Sequence, residues 1–298
     1  LGFTIDVADV LPPIVDTTIL DGTTQAGHVD APIIELNGAA AGNTTGLNLG
    51  AGAAGSTIRG FVVNRFQSYG MIAMTDITIV GNYIGTDLAG TSPAGNGFAG
   101  IIGLNNDLTI GGTVDADRNV ISGNTGHGIW VFSGTGTTIE GNYIGVDKDG
   151  GSAGRGNTQN GVYLEVPATV GGTVGEARNI ISGNGGDGVL IDGVNASGST
   201  LLNNFIGTDS DGSTDRGNTG AGVRIINNST GNTIGGTGAG EDNLIAYNAT
   251  GVATTGTGAE AAITRNSIHS NDGLGIDLLD DGVTINDDAD GLQDFPIL

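Results

Sequence analysis

The sequence contains no cysteine, one lysine and one tryptophan among its 298 residues. Without cysteine, a disulfide framework and a thiolate metal site are both excluded. Nine Lys and Arg residues are set against 32 Asp and Glu residues, which gives a formal net charge of -23 at pH 7. A chain this acidic lacks the basic surface that nucleic acids and anionic membranes require. The longest apolar runs are only a few residues long, so no segment is predicted to insert into a bilayer.

Glycine, by contrast, is abundant, with 58 residues. The glycines follow no G-X-Y period, which excludes collagen, and each glycine inside a helix costs about 1 kcal/mol relative to alanine. Apolar residues still make up 37% of the chain, so a core can form. The composition therefore predicts strands and turns. An acidic, cysteine-free and lysine-poor chain also suits an extracellular or cell-surface bacterial or archaeal protein, and we expect that location.

Two short phrases recur along the chain. The first phrase reads GNYIGTD at 81–87, GNYIGVD at 141–147 and NNFIGTD at 203–209. The second phrase reads RNVISGN at 118–124, RNIISGN at 178–184 and DNLIAYN at 242–248. Copies of the first phrase start at 81, 141 and 203 and are therefore 60 and 62 residues apart. Internal repetition of this kind indicates a solenoid rather than separate domains.

Each repeat contains two turns, and each turn contains three short apolar segments, which we name positions A, B and C. Position A begins at Leu47, Met71, Ile101, Ile129, Val162, Val189, Val223, Val252 and Ile276. Position B is marked by Ile58, Ile79, Ile110, Ile139, Val170, Leu201, Ile234 and Ile263. Position C is marked by Val63, Ile84, Ile121, Ile144, Ile181, Ile206, Ile245 and Ile268. From residue 79 on, the spacing from position B to position C alternates between 5 and 11 residues, so two kinds of turn alternate.

Segments this short cannot bury a core alone, but parallel stacking about 4.8 Å apart lets each backbone pair on both sides. Parallel connections are right-handed in nearly all proteins. The sequence therefore predicts an all-β, right-handed parallel β-helix of about nine turns, with three short strands per turn and two alternating turn types. We expect one domain over 1–298, with N-terminal entry turns in 1–45, regular repeats in 46–278 and an exit segment in 279–298. Asparagines at the corners are expected to hydrogen-bond along the stack, as at Asn124, Asn142, Asn184 and Asn204.

These phrases resemble the parallel β-helix repeats of large secreted and cell-surface bacterial proteins in the pectate-lyase-like superfamily. The resemblance covers roughly residues 11–298, including the entry LDGTTQAG at 20–27 and the exit after Gly275. It implies the β-helix fold. Members of that superfamily range from polysaccharide lyases and hydrolases to adhesins and phage fibres, so the resemblance does not fix an activity.

The outward face of strand A is unusually apolar. If the first and third residues of each strand point inward, the second and fourth point outward. The predicted binding face, for a subunit or a glycan, consists of Ile72, Met74, Ile102, Leu104, Trp130, Phe132, Tyr163, Leu190 and Arg224. Strands that are apolar on both faces are normally covered on both. Three explanations remain open: a subunit interface, a sugar-stacking groove, or cover by the N-terminal segment.

Long acidic loops join position C to position A in every second turn. The D-x-D-G spacing of two of these loops resembles part of a calcium site, because Ca²⁺ prefers several oxygen ligands on a tight turn. The candidate calcium ligands are Asp147, Asp149, Asp209, Asp211 and Asp215. Alternatively, these aspartates simply cap Asx-type turns. Ca²⁺ is the only cofactor that the sequence suggests.

Catalytic signals are weak, and no catalytic residue is assigned. His127 lies in a Gly-His-Gly motif that resembles one in polygalacturonase-type hydrolases, but the equivalent residue one repeat later is Asp187. Lys148, the type of base that uronate lyases use, is alone in its loop. Arg224 is expected near Asp192 and Glu165, where it either binds an acidic sugar or, as is more common for such residues, forms a solvated ion pair.

The leading interpretation is therefore a structural or adhesive protein that is not an enzyme and that associates with itself. Phe3–Val7 alternates like a strand and 295–298 is apolar, so the two ends of a coil could dock head to tail into a filament. The alternatives are a polysaccharide lyase or hydrolase acting on an acidic glycan, and a carbohydrate-binding module without catalysis. The expected partners are thus further copies of the chain or a polysaccharide.

Overall fold

The structure is a computed structural model that describes residues 2–151, 156–256 and 259–279. These residues form 28 short strands, which we number in chain order, in three parallel sheets of ten, nine and nine strands. Each sheet contains the segments predicted for one position, so the sheets are named A, B and C accordingly. The predicted all-β parallel β-helix with three strands per turn is confirmed. None of the described residues belongs to a helix long and apolar enough to cross a membrane.

The strands of sheet A run from the N-terminal to the C-terminal end of the coil. They are β4 (Leu47–Leu49), β7 (Met71–Ala73), β10 (Ile101–Gly103), β13 (Ile129–Val131), β16 (Val162–Leu164), β19 (Val189–Asp192), β22 (Ala221–Ile226), β25 (Thr250–Thr255) and β28 (Ile276–Leu278). Sheet B contains β2 (Ile19–Asp21), β5 (Ser56–Arg59), β8 (Ile77–Val80), β11 (Thr109–Gly111), β14 (Thr137–Glu140), β17 (Ala168–Gly171), β20 (Thr200–Leu202), β23 (Asn232–Gly235) and β26 (Ala261–Thr264).

Sheet C has one strand more than the other two sheets. Its strands are β1 (Phe3–Asp6), β3 (Ile34–Asn37), β6 (Phe61–Asn64), β9 (Tyr83–Ile84), β12 (Val120–Ile121), β15 (Tyr143–Ile144), β18 (Ile180–Ile181), β21 (Phe205–Ile206), β24 (Leu244–Ala246) and β27 (Ser267–His269). Five single-turn 3₁₀ helices lie in the connections: Gly22–Thr24, Ala51–Ala53, Asp115–Asp117, Gly175–Ala177 and Val194–Ala196. Two of them, Asp115–Asp117 and Gly175–Ala177, lie in turns with the 11-residue spacing from B to C.

The predicted apolar columns are in register. Ile101 pairs with Ile129, and Ile129 pairs with Val162, so equivalent residues stack directly on one another. Ile121 and Ile144 stack in the same way in sheet C. These side chains are fully buried and belong to one continuous core. Burial of apolar surface contributes about 25 cal/mol per Å², so this column is the main source of stability.

Two ladders of buried asparagines run along two corners of the coil. In both ladders, each side-chain amide donates to the side-chain oxygen of the asparagine in the next turn, at 2.8–3.2 Å. The ladder after sheet B consists of Asn82, Asn119, Asn142, Asn179, Asn204, Asn243 and Asn266. The ladder after sheet C consists of Asn96, Asn124, Asn157, Asn184, Asn218, Asn248 and Asn271. The predicted hydrogen bonding of corner asparagines along the stack is confirmed.

The glycine that follows the isoleucine in the first repeated phrase is required at its position by one of these ladders. Gly145 has φ +90, and a Cβ atom there would lie 2.5 Å from the side-chain oxygen of Asn184. Both the left-handed backbone and the close approach exclude other residues. The glycine and the asparagine therefore recur together because they fill one corner.

The N-terminal segment extends the coil. β1 pairs with β3 in sheet C, the Ile14 backbone N–H donates to the carbonyl of Asn48, and β2 pairs with β5 in sheet B. The described part of this segment thus forms a first rung at the end of the coil. It does not act as a cover for the outer face of sheet A, which removes one of the three explanations for the apolar face. Residues 280–298 of the predicted exit segment lie outside the described residues.

Candidate functional site

The outer face of sheet A carries the predicted binding residues in two rows. Trp130 is in register with Ile102 on one side and with Tyr163 on the other. The first row reads Ile72, Ile102, Trp130, Tyr163, Leu190 and Arg224. The second row, where the strands end, contains Met74, Leu104 and Phe132. Most of these side chains are only partly buried; Ile102 is covered by its neighbours and Phe132 is 46% exposed.

Aromatic rings are concentrated at the centre of this face. The ring centroids of Trp130 and Tyr163 lie 5.8 Å apart with an interplanar angle of 20°, so the two rings are stacked. Phe132 meets Trp130 edge-on at 5.5 Å. His127 lies 4.8 Å from the Tyr163 ring and 6.0 Å from the Trp130 ring. Four rings from neighbouring turns therefore form one cluster, which we call the aromatic face.

A groove of about 530 Å³ opens beside the aromatic face. Its lining includes Tyr69, Phe98, Thr125, His127, Trp130 and Gln159. Tyr69 and Phe98 form a second aromatic pair with centroids 5.6 Å apart, and Phe98 is 57% exposed. The groove therefore has aromatic walls on two sides and a polar amide at its edge, as small-molecule sites commonly do.

Tyr69, Phe98, His127 and Gln159 were not predicted as parts of this site. They lie in the turns that precede sheet A, where side chains follow no period-two alternation and their direction cannot be read from the sequence. One signal was available, because Tyr69 and His127 occupy the same repeat position, two residues before the strand. The backbone carbonyls of both residues accept from glycines of the preceding turn.

The Tyr163 hydroxyl joins the aromatic face to acidic side chains. It donates to a carboxylate oxygen of Asp192 at 2.9 Å, and Asn227 donates to the other oxygen at 2.6 Å. Burial raises the pKa of Tyr163, and hydrogen bonds to Glu165 and Asp192 raise it further. Tyr163 is therefore a neutral phenol at pH 7, while its acidic neighbours make this edge of the site negative.

Arg224 forms an ion pair, with a different carboxylate from the two that the sequence analysis named. It was expected near Asp192 and Glu165, but its Nε atom lies 3.1 Å from both carboxylate oxygens of Asp187. Asp187 also accepts from the backbone N–H of Ala221 at 2.7 Å. Asp187 lies in the turn two residues before β19, and β19 pairs with β22, the strand that carries Arg224. The two side chains are therefore neighbours. The positive charge of Arg224 is therefore already paired at the end of the site.

His127 is a half-buried titratable group of the site. Burial lowers its pKa to about 4, so the imidazole is neutral at pH 7. Its Nδ1 atom and the Nε1 atom of Trp130 are both buried and have no hydrogen-bond partner among the described residues. Its neighbours include the rings of Trp130 and Tyr163.

The acidic loops are in contact with one another and form a ridge along the coil. The Lys148 N–H donates to the carbonyl of Gly90, and the Ser210 N–H donates to the carbonyl of Gly150, so loops two turns apart are in contact. Residues 152–155 of the middle loop lie outside the described residues. Because of the two backbone hydrogen bonds, the three loops are stacked along the coil in the order in which they occur in the sequence.

The predicted calcium ligands make hydrogen bonds within these loops. Asp147 accepts from the N–H groups of Asp149 and Gly151, and Asp209 accepts from those of Ser213 and Thr214. Burial acts to raise the pKa of Asp209, but the bonds from Thr214 and Ser213 outweigh it and hold that pKa below its ordinary value.

The remaining candidate ligands lie at the surface. Asp149 pairs with Lys148 at 2.6 Å, Asp215 accepts from the N–H of Gly217, and Asp211 is exposed. Within the described ranges, no group of three or more acidic or histidine side chains is placed to hold a metal. Calcium binding stays a prediction.

A second, mixed-charge cleft lies against sheet C. Two cavities of about 530 and 760 Å³ share Pro32 and Lys148 in their linings. Arg118 and Arg65 also line this cleft, but each cation is paired with a carboxylate, for example Arg118 with Asp115 at 2.7 Å. Lys148, which the sequence analysis treated as isolated, is thus part of a groove. The surrounding pairs leave this cleft close to neutral.

Together these features define the class of protein: a parallel β-helix with an aromatic groove on one sheet. No family model matches the sequence, and no curated protein matches it. Among solved structures, the chain is similar to the A-module of mannuronan C-5 epimerase AlgE4 from Azotobacter vinelandii. The match has a TM-score of 0.43 and 18% sequence identity, and it covers 92% of this chain and 79% of the other.

Proposed function

We propose that this chain is a stiff, extracellular or cell-surface β-helix that adheres to a polysaccharide through the outer face of sheet A. The observation that carries the proposal is the aromatic face beside its groove, with Trp130 stacked on Tyr163. A pyranose ring has an apolar C–H face that packs well on an aromatic ring, and its hydroxyls need polar partners at the edge. Gln159 and Asp192 provide such partners.

The glycan is expected to be neutral rather than acidic. The chain carries a net charge of -23, and Glu165, Asp187 and Asp192 surround the aromatic face. A polyuronate would therefore be repelled during approach and on binding. Arg224 does not offset this repulsion without a cost in free energy, because the carboxylate of a bound sugar would have to displace Asp187 from Arg224.

The geometry favours binding over bond cleavage. Acid–base catalysis needs a group poised to transfer a proton within hydrogen-bond reach of the substrate. His127 is held among rings, Tyr163 stays protonated, and Asp187 is engaged by Arg224. Each titratable group of the site thus has a structural use.

Affinity electrophoresis tests this proposal. The protein is run through gels that contain a neutral polysaccharide, such as a glucan, mannan or xylan, or an acidic one, such as pectate or alginate. We expect retardation by at least one neutral polysaccharide and no retardation by the acidic ones. Trp130→Ala should weaken retardation about tenfold, equivalent to about 1.4 kcal/mol, whereas Val114→Ala, exposed and outside the aromatic face, serves as the control. Retardation only by acidic polysaccharides, or equal retardation of both variants, would overturn the proposal.

A second function, association of copies end to end, is supported by the N-terminal end of the coil. Among the strands that the structure describes, β1 and β2 are the outermost of sheets C and B, and each has one edge without a described neighbour. Six large apolar side chains in this first rung are exposed: Phe3, Ile5, Val10, Val15, Ile19 and Val29. An open edge with exposed β-branched residues favours pairing with another chain. In this second proposal, that chain is another copy of the protein.

A further inference from the structure

His127 is half-buried at the edge of the groove, and its Nδ1 atom is buried in the aromatic face with no hydrogen-bond partner among the described residues. The Tyr163 ring lies 4.8 Å away and the Trp130 ring 6.0 Å away. A neutral imidazole is compatible with this environment because the surrounding rings are apolar. An imidazolium is not, because it has two N–H donors and a charge that require acceptors or water.

The charged and titratable groups around His127 are all engaged elsewhere. On β16, the Tyr163 hydroxyl donates to Asp192 of β19, and Glu165 also interacts with that hydroxyl. In the turn before β19, Asp187 accepts from the N–H of Ala221 and from Arg224 of β22.

The turns next to His127 offer no free carboxylate either. The side chain of Asn160, one turn away in the column of His127, accepts from the Asp187 N–H. On the other side, the equivalent residue of the adjacent turn is Ala99, which lines the groove. The carboxylates of Asp187, Asp192 and Glu165 therefore already have partners other than His127.

We propose that acidification opens the aromatic face: on taking up a proton, the His127 imidazolium draws water into the site and separates the rings of Trp130 and Tyr163. Bound glycan is then released, a consequence that rests on the proposed function. The opening itself does not require a glycan. His127 thus acts as a positioning residue that holds the rings together only while it is neutral.

The direction and range of the response follow from burial. Burial disfavours the charged imidazole and lowers the pKa of His127 from 6.5 to about 4. The aromatic face is therefore closed at neutral pH and opens as the pH falls through about 4. Water-filled surroundings would instead leave His127 with an ordinary pKa, so the acidic midpoint is part of the expectation.

The single tryptophan of the chain allows a direct test without ligand. Trp130 emission is recorded from pH 7 to pH 3 for the wild type and for His127→Asn. Asparagine is the residue that the chain itself has at this repeat position in the next turn, Asn160, so the variant should fold. The variant retains every carboxylate of the wild type. We expect a red shift of Trp130 emission with a midpoint near pH 4 in the wild type and no such step in His127→Asn.

A second experiment measures how tightly each protein binds the polysaccharide that retards it in the affinity gel. The affinity of each protein at low pH is compared with its own affinity at pH 7. One pH unit below the midpoint, the wild type should bind about tenfold more weakly, and His127→Asn should lose less than about threefold. A red shift of Trp130 emission in a protein that binds no glycan would contradict the proposed function but would still support the acid opening. The acid opening is overturned if the wild type shows no red shift, or if both proteins show the same one. Unchanged wild-type affinity across the emission step also overturns it.

Discussion

At the scale of single residues, Tyr163 has two partners with different chemistry. Its ring stacks on Trp130, and its hydroxyl donates to Asp192 in the next turn. The first contact serves the aromatic face, and the second links two turns of the coil. Because the hydroxyl bond joins residues 29 positions apart in sequence, it contributes to the rigidity of the site as well as to its charge.

Tyr163→Phe separates these two contributions. The ring remains, while Asp192 loses one donor and retains the bond from Asn227. A hydrogen bond of this kind contributes about 1 kcal/mol net, and somewhat more when the acceptor is charged. We expect a loss of about 1–2 kcal/mol in the free energy of unfolding, measured by urea denaturation at pH 7. Tyr247→Phe, which removes an exposed hydroxyl bond of 3.3 Å, should cost less and is the matched control. Equal losses in the two variants would contradict the role assigned to Asp192.

Which residues of the site could be predicted depends on where they lie. Trp130 and Tyr163 were predicted because alternation along a strand fixes which side chains point outward. Phe98 and His127 lie in turns, where only the fold determines their direction. The pairing of Arg224 with Asp187 was missed for a related reason, since that pair joins a strand to a turn two residues outside the neighbouring strand.

At the scale of structural elements, the asparagine ladders connect successive turns independently of the sheets. Asn184 accepts from both the backbone and side-chain N–H groups of Asn157, and it donates to Asn218 at 2.9 Å. It is fully buried, so no water can replace these bonds. The ladder was predictable because asparagine recurs at one position in every repeat, and its chemistry allows donation and acceptance along a stack.

Asn184→Ala is expected to destabilise the coil strongly. The substitution removes the acceptor of the Asn157 backbone N–H and of one side-chain N–H of Asn157, whose amide keeps only the bond to the Ile121 carbonyl. Each unsatisfied buried group costs about 1–3 kcal/mol, so a total loss of about 3 kcal/mol is expected. Asn195→Ala changes an exposed asparagine in the same region and should stay within about 0.5 kcal/mol. Thermal and urea unfolding followed by circular dichroism provide the measurement. A loss below 1 kcal/mol for Asn184→Ala would show that the ladder is dispensable.

At the scale of the whole molecule, repetition made the architecture predictable. Equivalent apolar residues recur with fixed spacing, and stacking turns is the arrangement that buries all of them in one core. The first rung was predicted only in part: Phe3–Val7 alternates like a strand, but β1 and β2 precede the glycine-rich phrases and show no matching repeat. The exposure of the four β-branched side chains on and between these strands, Ile5, Val10, Val15 and Ile19, became evident only in the structure.

Association of copies should depend on that first rung and on salt. The net charge of -23 opposes close approach, and salt screens it, with a Debye length of about 30 Å at 0.01 M and about 8 Å at 0.15 M. We expect the mass measured by light scattering to rise with protein concentration at 0.15 M salt. Ile19→Asp, which places a charge on the open end of sheet B, should abolish that rise. Val194→Asp changes an equally exposed residue in the middle of the coil and should not. A monomer under all conditions would contradict end-to-end association.

The central claim is that a neutral glycan binds on the aromatic face of sheet A. Titration of Trp130 emission with soluble neutral oligosaccharides at pH 7 tests it most directly, because Trp130 is the only tryptophan and lies at the centre of that face. The account predicts a saturable change with at least one neutral oligosaccharide and none with oligouronates of the same length. The claim is contradicted if no neutral oligosaccharide changes Trp130 emission, or if only oligouronates change it.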